Sequence, residues 1–406
     1  MTCFSRAIDF EHKYRKLINL FKLNRKVFRT KFKNRHRNRG YAIEEMNYLS
    51  DLDFKKMFRM DRLSFLELEK QLDPYLIRND VMSIRSSGSP ISTRTRLAVT
   101  IRWLAGGSHL DICFAFGVSA SSFYSDRGIL WPTIEALNTI LDISFPLNDD
   151  SALAELAKGF REHSGGVFDG LVTVIDGMAV RVRCPTEKEV PVDRMKYVCR
   201  KGGFAVILLA GCDVKGRFTM AVANHAGSTH DIICWESSNI YNALLGEKLD
   251  KRYYLGGDEA FTCTAQLISP WSGRGIGRWK DSFNYWLSHS RQAIERAFGM
   301  LTKRWGIFSR RFCFAYERWS LVIIVCCKLH NFCLNKNLNA MSETLPCYDR
   351  DIRNGDEWVV LPNNDPVEDP ILRGHPSGDL RKNITDNLEH EGRGRPLHAI
   401  ANSRAD

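Results

Sequence analysis

Hydrophobic residues in the first part of the chain recur at the spacing of an amphipathic helix. Apolar positions three or four apart run from Phe54 towards Pro74, which is expected to end that helix. Helical spacing returns over Thr95–Leu104 and stops at Gly106. This pattern predicts an all-helical N-terminal domain over residues 41–147.

Residues 108–127 have the sequence of a helix-turn-helix. Ser108 and Ser119 can each cap a short helix, and Gly117 supplies the turn between them. The apolar face of the first helix is predicted to consist of Leu110, Cys113, Phe114 and Phe116. The second helix offers four polar side chains to a DNA groove, namely Ser121, Ser122, Tyr124 and Arg127. Such corners also occur in purely structural bundles, so DNA reading and a structural role both stay open.

From Gly170 onward the pattern changes to strands. The apolar runs that end at Asp176 and at Cys212 are typical of strands buried on both faces, and a second short strand begins at Val180. A tight turn after Cys212 predicts a hairpin with the strand that follows. Further elements are predicted as helix, strand and helix, over Asp231–Leu245, Tyr253–Gly256 and Ser288–Trp305.

Strands followed by flanking helices predict a mixed α/β domain over residues 170–335. The remaining segment, 336–406, is polar and rich in Asp, Asn and Pro, so we expect a partly disordered tail with a short helix near Asp379–Leu388.

The positive charge of the chain is concentrated at its start. Residues 1–40 carry thirteen Lys or Arg and two acidic residues, which equals the net charge of +11 of the whole chain. A basic arm on a neutral body is typical of a segment that binds nucleic-acid phosphates or directs a protein to the nucleus. The alternative is a solvated helix, because the apolar residues of the arm lie loosely on one helical face.

Membrane and disulfide classes are not expected. The chain has no run of about 18 apolar residues and no secretory signal at its start. Its twelve cysteines are scattered without a Cys-x-x-Cys pair, so they are expected to be reduced thiols rather than zinc ligands.

Three acidic residues stand in unusual surroundings. Asp176 and Asp258 each follow a short apolar strand and lie beside glycines, and Glu295 borders the apolar stripe of a helix. Converging carboxylates repel one another unless a cation neutralises them. Two divalent ions held by carboxylates can activate a water molecule and stabilise the leaving oxygen when a phosphodiester bond is cut. Taken singly, each residue has an ordinary alternative, a turn, a helix cap, or for Glu295 surface ion pairs with Arg291 and Arg296.

Seven short motifs, in order, resemble those of the PIF/Harbinger-type transposases, whose nuclease domain is a DDE superfamily endonuclease. They extend over about Val172–Asn331 and read Val-Ile-Asp-Gly from Val174, Tyr-Val-Cys-Arg-Lys-Gly-Gly-Phe from Tyr197, Cys-Asp-Val-Lys-Gly-Arg-Phe from Cys212, Ala-Gly-Ser-Thr-His-Asp from Ala226, Leu-Gly-Gly-Asp-Glu-Ala-Phe from Leu255, Ala-Ile-Glu-Arg-Ala-Phe-Gly from Ala293 and Cys-Lys-Leu-His-Asn-Phe from Cys327. Each motif is weak alone, but the ordered series is specific.

The resemblance implies an RNase H-like fold with Asp176, Asp258 and Glu295 as the catalytic triad. It adds Asp231 as a further metal ligand, although the sequence alone indicates a helix N-cap there. The implied cofactor is Mg²⁺ or Mn²⁺. The implied partners are DNA and a Myb-like DNA-binding protein, with homo-oligomerisation as a further option.

Five other residues complete the predicted site and its surroundings. We expect Arg200, Lys201 and Arg304 to contact DNA phosphates, and His330 and Asn331 to have a structural role in closing a buried helix. The chain departs from the family pattern at Cys199, where Asn is frequent, and at Glu259, where a smaller residue is frequent.

The sequence therefore predicts a divalent-metal-dependent DNA endonuclease of transposase origin. The rival from another class is a domesticated DNA-binding or scaffold protein that no longer cuts. An RNase on the same fold also stays open, because the acidic residues do not specify the nucleic acid. The complete acidic set favours the enzyme.

Overall fold

A computed structural model of the chain describes residues 40–76, 90–273, 275–336 and 378–396. The predicted basic arm lies outside these ranges except for Gly40, and so does most of the predicted tail. A helix does form in the described part of the tail, over Gly378–His390, where a short helix is predicted.

The described residues before the sheet form helices, but the helix predicted from Phe54 to Pro74 is wrong in its bounds, because two helices separated at Arg59 form there and Pro74 lies inside the second. The helices are α1 Gly40–Tyr48, α2 Asp51–Phe58, α3 Arg62–Leu76, α4 Thr93–Leu104, α5 His109–Ala115, α6 Ala120–Tyr124, α7 Leu130–Ile140 and α8 Asp150–His163. Fully buried residues of this segment, such as Phe58 and Leu137, share one hydrophobic cluster with Trp305 and Val322 from the far end of the chain. A separate N-terminal helical domain is therefore not confirmed, since these helices and the α/β part have a continuous core.

The helix-turn-helix segment folds as two short helices, α5 and α6. Gly117 makes the turn with a positive φ of 59°, and Ser119 caps α6 by accepting a hydrogen bond from the Ser122 N–H. The predicted apolar face is partly wrong, because Leu110 is 64% exposed and Phe114 is 85% exposed. The face that packs inward is formed by Ile112, Cys113 and Phe116.

A five-stranded mixed sheet follows, flanked by helices, as predicted. Its strands are β1 Leu171–Arg181, β2 Ala205–Cys212, β3 Phe218–Ala226, β4 Tyr254–Gly256 and β5 Leu267–Ile268. Their spatial order is β3-β2-β1-β4-β5. The pairs β1–β2 and β2–β3 are antiparallel, whereas β1–β4 and β4–β5 are parallel.

Strand β1 does not end at Asp176. It continues to Arg181, because β2 pairs with it from Val174 as far as Arg181, with Asp176 opposite Ala210. The two short strands predicted on either side of Gly177 are therefore one strand. The parallel pairing with β4 stops at Val174, so Asp176 lies beside the end of β4 and not at the end of its own strand.

Helices cover both faces of the sheet. After β3 they are α9 Asp231–Glu236, α10 Asn239–Leu245, α11 Arg278–Arg304, α12 Trp319–Asn335 and α13 Gly378–His390. Alternate residues of β2 divide between the two layers: Leu208 and Ala210 join the cluster that contains α11 and α12, and Ile207 and Leu209 join the one with α9 and α10. In the described ranges, no helix has both the length and the apolar character of a membrane span.

His330 and Asn331 tie α12 to the β2–β3 hairpin, which confirms their predicted structural role. Nε2 of the fully buried His330 lies 2.9 Å from the Gly216 carbonyl oxygen. The Asn331 side chain accepts from the Phe218 N–H and donates to the Phe218 carbonyl, each at 2.7 Å. The hairpin is thereby fixed against the helix layer at the start of β3.

Candidate active site

The register of the parallel strands places Asp176 and Asp258 at the same level of the sheet. Val174 of β1 pairs with Gly256 of β4; Asp176 follows two residues later within β1, and Asp258 follows two residues after Gly256, just beyond the end of β4. Beyond β4 the chain turns away, and the Ala260 N–H donates to Oδ1 of Asp258 at 3.0 Å, which fixes that loop. The two carboxylates therefore approach each other where β4 ends.

Asp231 approaches the same part of the sheet from the layer of α9 and α10, on the face opposite to α11. It is the first residue of α9, whose N-cap is His230, so the N-cap interpretation of Asp231 is wrong. A Cβ placed on Gly177 would lie 2.2 Å from Oδ1 of Asp231. The glycine in β1 thus leaves the space that the Asp231 carboxylate fills, next to the backbone that follows Asp176.

Burial and mutual repulsion act on these carboxyl groups. Burial raises the pKa of Asp176 to about 7, and the negative charges of Asp258 and Asp231 act in the same direction, while Arg291 opposes them. Burial and Asp258 likewise raise the pKa of Asp231 to about 6, with Arg200 opposing. Carboxyl groups whose pKa is raised in this way are partly protonated close to neutral pH unless a further positive charge displaces the proton.

Arg291 supplies a positive charge in contact with Asp176. Its Nη2 atom lies 3.6 Å from Oδ2 of Asp176, and the two side chains are 17% and 16% exposed. Surface ion pairs of Arg291 and Arg296 with Glu295 were the alternative at this helix, but Arg291 turns to Asp176 and Arg296 donates to the Val214 carbonyl. The contact of Arg291 with the site was not predicted. Its position one helical turn before Glu295 is the feature of the sequence that could have indicated it.

Glu295 belongs to the helix whose Arg291 contacts Asp176. It is an exposed residue of α11, four positions after Arg291 and hence on the same flank of that helix. The structure therefore places Asp176, Asp231 and Asp258 within electrostatic range of one another and leaves Glu295 exposed. As the side chains stand in the described ranges, no three His, Cys, Asp or Glu residues are gathered closely enough to hold a metal ion.

The chemistry of the site nevertheless fits a divalent cation. The carboxylates of Asp176, Asp231 and Asp258 act on one another electrostatically, and their oxygens are the ligands that Mg²⁺ and Mn²⁺ prefer. The space at Gly177 that a Cβ would fill admits Asp231 to the group. Three acidic side chains thus lie within electrostatic range of one another, which is costly without a cation.

The predicted phosphate contacts differ in their positions. Arg200 borders the aspartates, because its Nη2 atom lies 2.9 Å from Nδ1 of His230, the neighbour of Asp231. Lys201 is exposed beside it, in a turn that Gly202 and Gly203 make with positive φ angles of 81° and 79°. Sequence reasoning missed His230 as the partner of Arg200, although it adjoins a predicted ligand.

Arg304 does not border the site. It is 6% exposed, and its Nη1 atom donates to the Arg59 carbonyl oxygen at 3.0 Å. It therefore joins α11 to the end of α2 within the core and has no access to a DNA phosphate. The prediction that Arg304 contacts a DNA phosphate is wrong. It assumed that a basic residue in the last turn of a helix is solvated, as is ordinarily the case.

Comparisons with known proteins agree with the motif series. Residues 175–331 match the family model described as DDE superfamily endonuclease. "Protein ALP1-like" of Arabidopsis thaliana is 26% identical over 298 residues, which cover 70% of each chain. "Putative nuclease HARBI1" of Bos taurus is 25% identical over 205 residues, or 49% of this chain and 55% of the relative, and its Homo sapiens counterpart is 25% identical over 208 residues, or 50% and 56%.

The matched segments thus span little more than half of the two HARBI1 proteins and a larger share of the plant relative. No solved structure matches the chain.

Proposed function

Because residues 175–331 form a domain of the DDE superfamily endonuclease family, of the Harbinger transposase-derived kind, we propose that the chain cuts DNA with the help of divalent metal ions. The observation that carries this proposal is the pairing of Val174 with Gly256, which brings Asp176 and Asp258 to one level. The strand order, antiparallel on one side of β1 and parallel on the other, supports an RNase H-like arrangement.

Each acidic residue has its own task in this proposal. Asp176 and Asp258 hold the metal ions, with Asp231 in support from α9, and Glu295 completes the second metal position from α11. Bound Mg²⁺ or Mn²⁺ supplies an activated water and neutralises charge on the phosphate. Arg200, fixed beside the aspartates through His230, and Lys201 bind the DNA backbone next to the scissile bond.

A cleavage assay with three single variants and one control variant tests the proposal. The full chain is incubated with duplex DNA or RNA in Mg²⁺, in Mn²⁺ and in chelator, and binding is measured in parallel. We expect metal-dependent cutting of DNA. Asp176→Asn, Asp258→Asn and Glu295→Gln should each lower the rate by about a hundredfold or more, the loss seen when one charge-stabilising group is removed. The amides keep the shape, so DNA affinity should persist.

The matched control is Glu259→Gln, which removes the exposed carboxylate next to Asp258 and should leave cutting unchanged. DNA binding without cutting in either metal would contradict the proposal and favour the domesticated DNA-binding protein. Cutting of RNA alone would identify the substrate as RNA. An active Asp258→Asn variant would remove that residue from the site.

The basic arm bears on how the protein binds DNA and where in the cell it acts. Thirteen cationic residues in residues 1–40 support sequence-independent DNA affinity and a nuclear location. Cooperation with a Myb-like partner or a second copy of the chain is proposed from the family resemblance alone. Deletion of residues 1–39 should weaken binding to all DNA sequences and flatten its salt dependence, because fewer counterions are released. An unchanged salt slope would leave nuclear import as the role of the arm, which a reporter fusion measures.

A further inference from the structure

Arg291 is held beside Asp176 by charge rather than by a hydrogen bond. The distance of 3.6 Å between its Nη2 atom and Oδ2 of Asp176 exceeds the hydrogen-bond range. Its Nε atom is buried without a hydrogen-bond partner within the described residues. A guanidinium group normally uses its N–H donors in a fixed fork, so this arrangement leaves donor capacity unused.

The surroundings explain why a cation stays there. Asp176, Asp231 and Asp258 repel one another, and the guanidinium of Arg291 partly neutralises Asp176 at 17% exposure. Arg200 acts on Asp231 from the other side of the group. Arg291 therefore occupies the electrostatic position that a bound cation would take at Asp176.

We propose that Arg291 is a built-in competitor of the metal, which neutralises Asp176 in the metal-free protein and must leave that carboxylate when a divalent ion binds. The inference rests on the proposed metal site. The guanidinium and a divalent ion are both positively charged and repel each other. At these distances they therefore cannot both lie against the same carboxylate. The cost of displacing Arg291 is subtracted from the affinity for the metal.

Removal of the arginine side-chain charge should therefore tighten metal binding. We would titrate Mn²⁺ calorimetrically into the full chain without DNA, using wild type, Arg291→Gln and Arg291→Met. The dissociation constant for Mn²⁺ should fall by about tenfold in both variants, within the usual range of coupling between two sites. Arg291→Met retains an unbranched stem for packing, so it covers the case in which the glutamine variant does not fold.

Two controls separate competition from a general charge effect. Arg296→Gln removes an arginine of the same helix that donates to the Val214 carbonyl and should bind Mn²⁺ as wild type does. Arg291→Lys retains the charge and should also resemble wild type. Melting curves add an independent readout, because Mn²⁺ should raise the melting temperature of Arg291→Gln more than that of wild type.

The Mn²⁺ titration has three possible outcomes. Tighter binding in the Arg291 variants, or binding in them alone, supports the competitor. Equal or weaker binding than in wild type overturns it, because Arg291 would then be neutral or would help to orient Asp176 for the metal, and the proposed function would stand. Absence of Mn²⁺ binding in wild type and in both variants overturns the competitor together with the metal site of the proposed function.

Discussion

At Gly177 one missing Cβ decides whether Asp231 can approach Asp176. Gly177→Ala would place a methyl group 2.2 Å from Oδ1 of Asp231, so the short side chain of Asp231 has to swing away. We expect cleavage to fall by about tenfold or more, as for the loss of a supporting metal-site group. The melting temperature should change little, since alanine is better than glycine within a strand.

Gly299→Ala is the matched control for this substitution. Gly299 lies in α11, and an added Cβ there would have nothing within 4 Å. Cleavage should be unchanged, and stability should rise by up to about 1 kcal/mol because alanine favours a helix. A Gly177→Ala variant that cuts as fast as wild type would separate Asp231 from the active site.

Asp176 should make the metal-free protein less stable as the pH rises. Its pKa is about 7 in the folded chain against an ordinary 3.8, so between these values the folded state binds more protons than the unfolded state. The free energy of unfolding then decreases as pH increases, by at most about 4 kcal/mol at 1.36 kcal/mol per pKa unit. Asp231, with a pKa of about 6, contributes in the same direction.

Melting temperatures at pH 5 and pH 8 in chelator measure this effect. The fall between the two should be smaller in Asp176→Asn, which does not titrate. Mn²⁺ should reverse the trend in wild type, because the metal binds the deprotonated carboxylates. A fall of the same size in wild type and in Asp176→Asn would show that Asp176 has no raised pKa.

The sequence predicts which acids are special but not all of their partners. Asp176 and Asp258 were recognisable because each stands beside glycines after an apolar run, a feature local to the chain. Arg291 pairs with Asp176 across 115 positions, and Arg304 with the Arg59 carbonyl across 245. Such contacts depend on the packing of α11, which no local pattern contains.

Among the elements, α11 differs most from its prediction. The helix begins at Arg278 and not at Ser288, because Phe283 and Leu287 are fully buried in the core. Aromatic residues are weak helix formers, so the tertiary contacts of this first part favour the helix. The same helix carries Arg291 and Glu295, and its placement therefore determines where these two residues lie relative to the aspartates.

Helix α13 packs against α11 and covers the loop that follows β5. The Trp271 indole N–H donates to Oγ1 of Thr385 at 3.0 Å, and the Arg381 guanidinium lies 3.8 Å from the centre of the Trp271 ring. Ile384 and Leu388 are buried at 8% and 2% exposure. Residues far along the chain thus support the helix that carries Glu295.

Ile384→Ala tests this support. The substitution leaves a cavity under α13 and should lower the free energy of unfolding by about 2–5 kcal/mol. Asn383→Ala, at the exposed neighbouring position, should stay within about 0.5 kcal/mol of wild type. Denaturant unfolding of both variants decides the matter, and equal midpoints would mean that α13 does not stabilise the fold.

For the whole molecule, the continuous core explains why element types were easier to predict than domains. Composition and spacing indicated helices before the sheet and a mixed sheet afterwards, and both are present. The buried residues of α2–α7 nevertheless join the cluster of α11 and α12, because the apolar faces of the first helices are covered by the last ones. Spacing along a chain gives the buried face of a helix but not its neighbour.

The proposed function depends on where a divalent ion binds in the folded chain. A crystal of the full chain grown with Mn²⁺ and measured for anomalous scattering locates that ion directly. We expect manganese between the carboxylates of Asp176 and Asp258, bound by oxygen ligands, with the Arg291 guanidinium displaced from Asp176. Manganese bound only at other carboxylates, with the Arg291–Asp176 pair retained, would contradict this expectation.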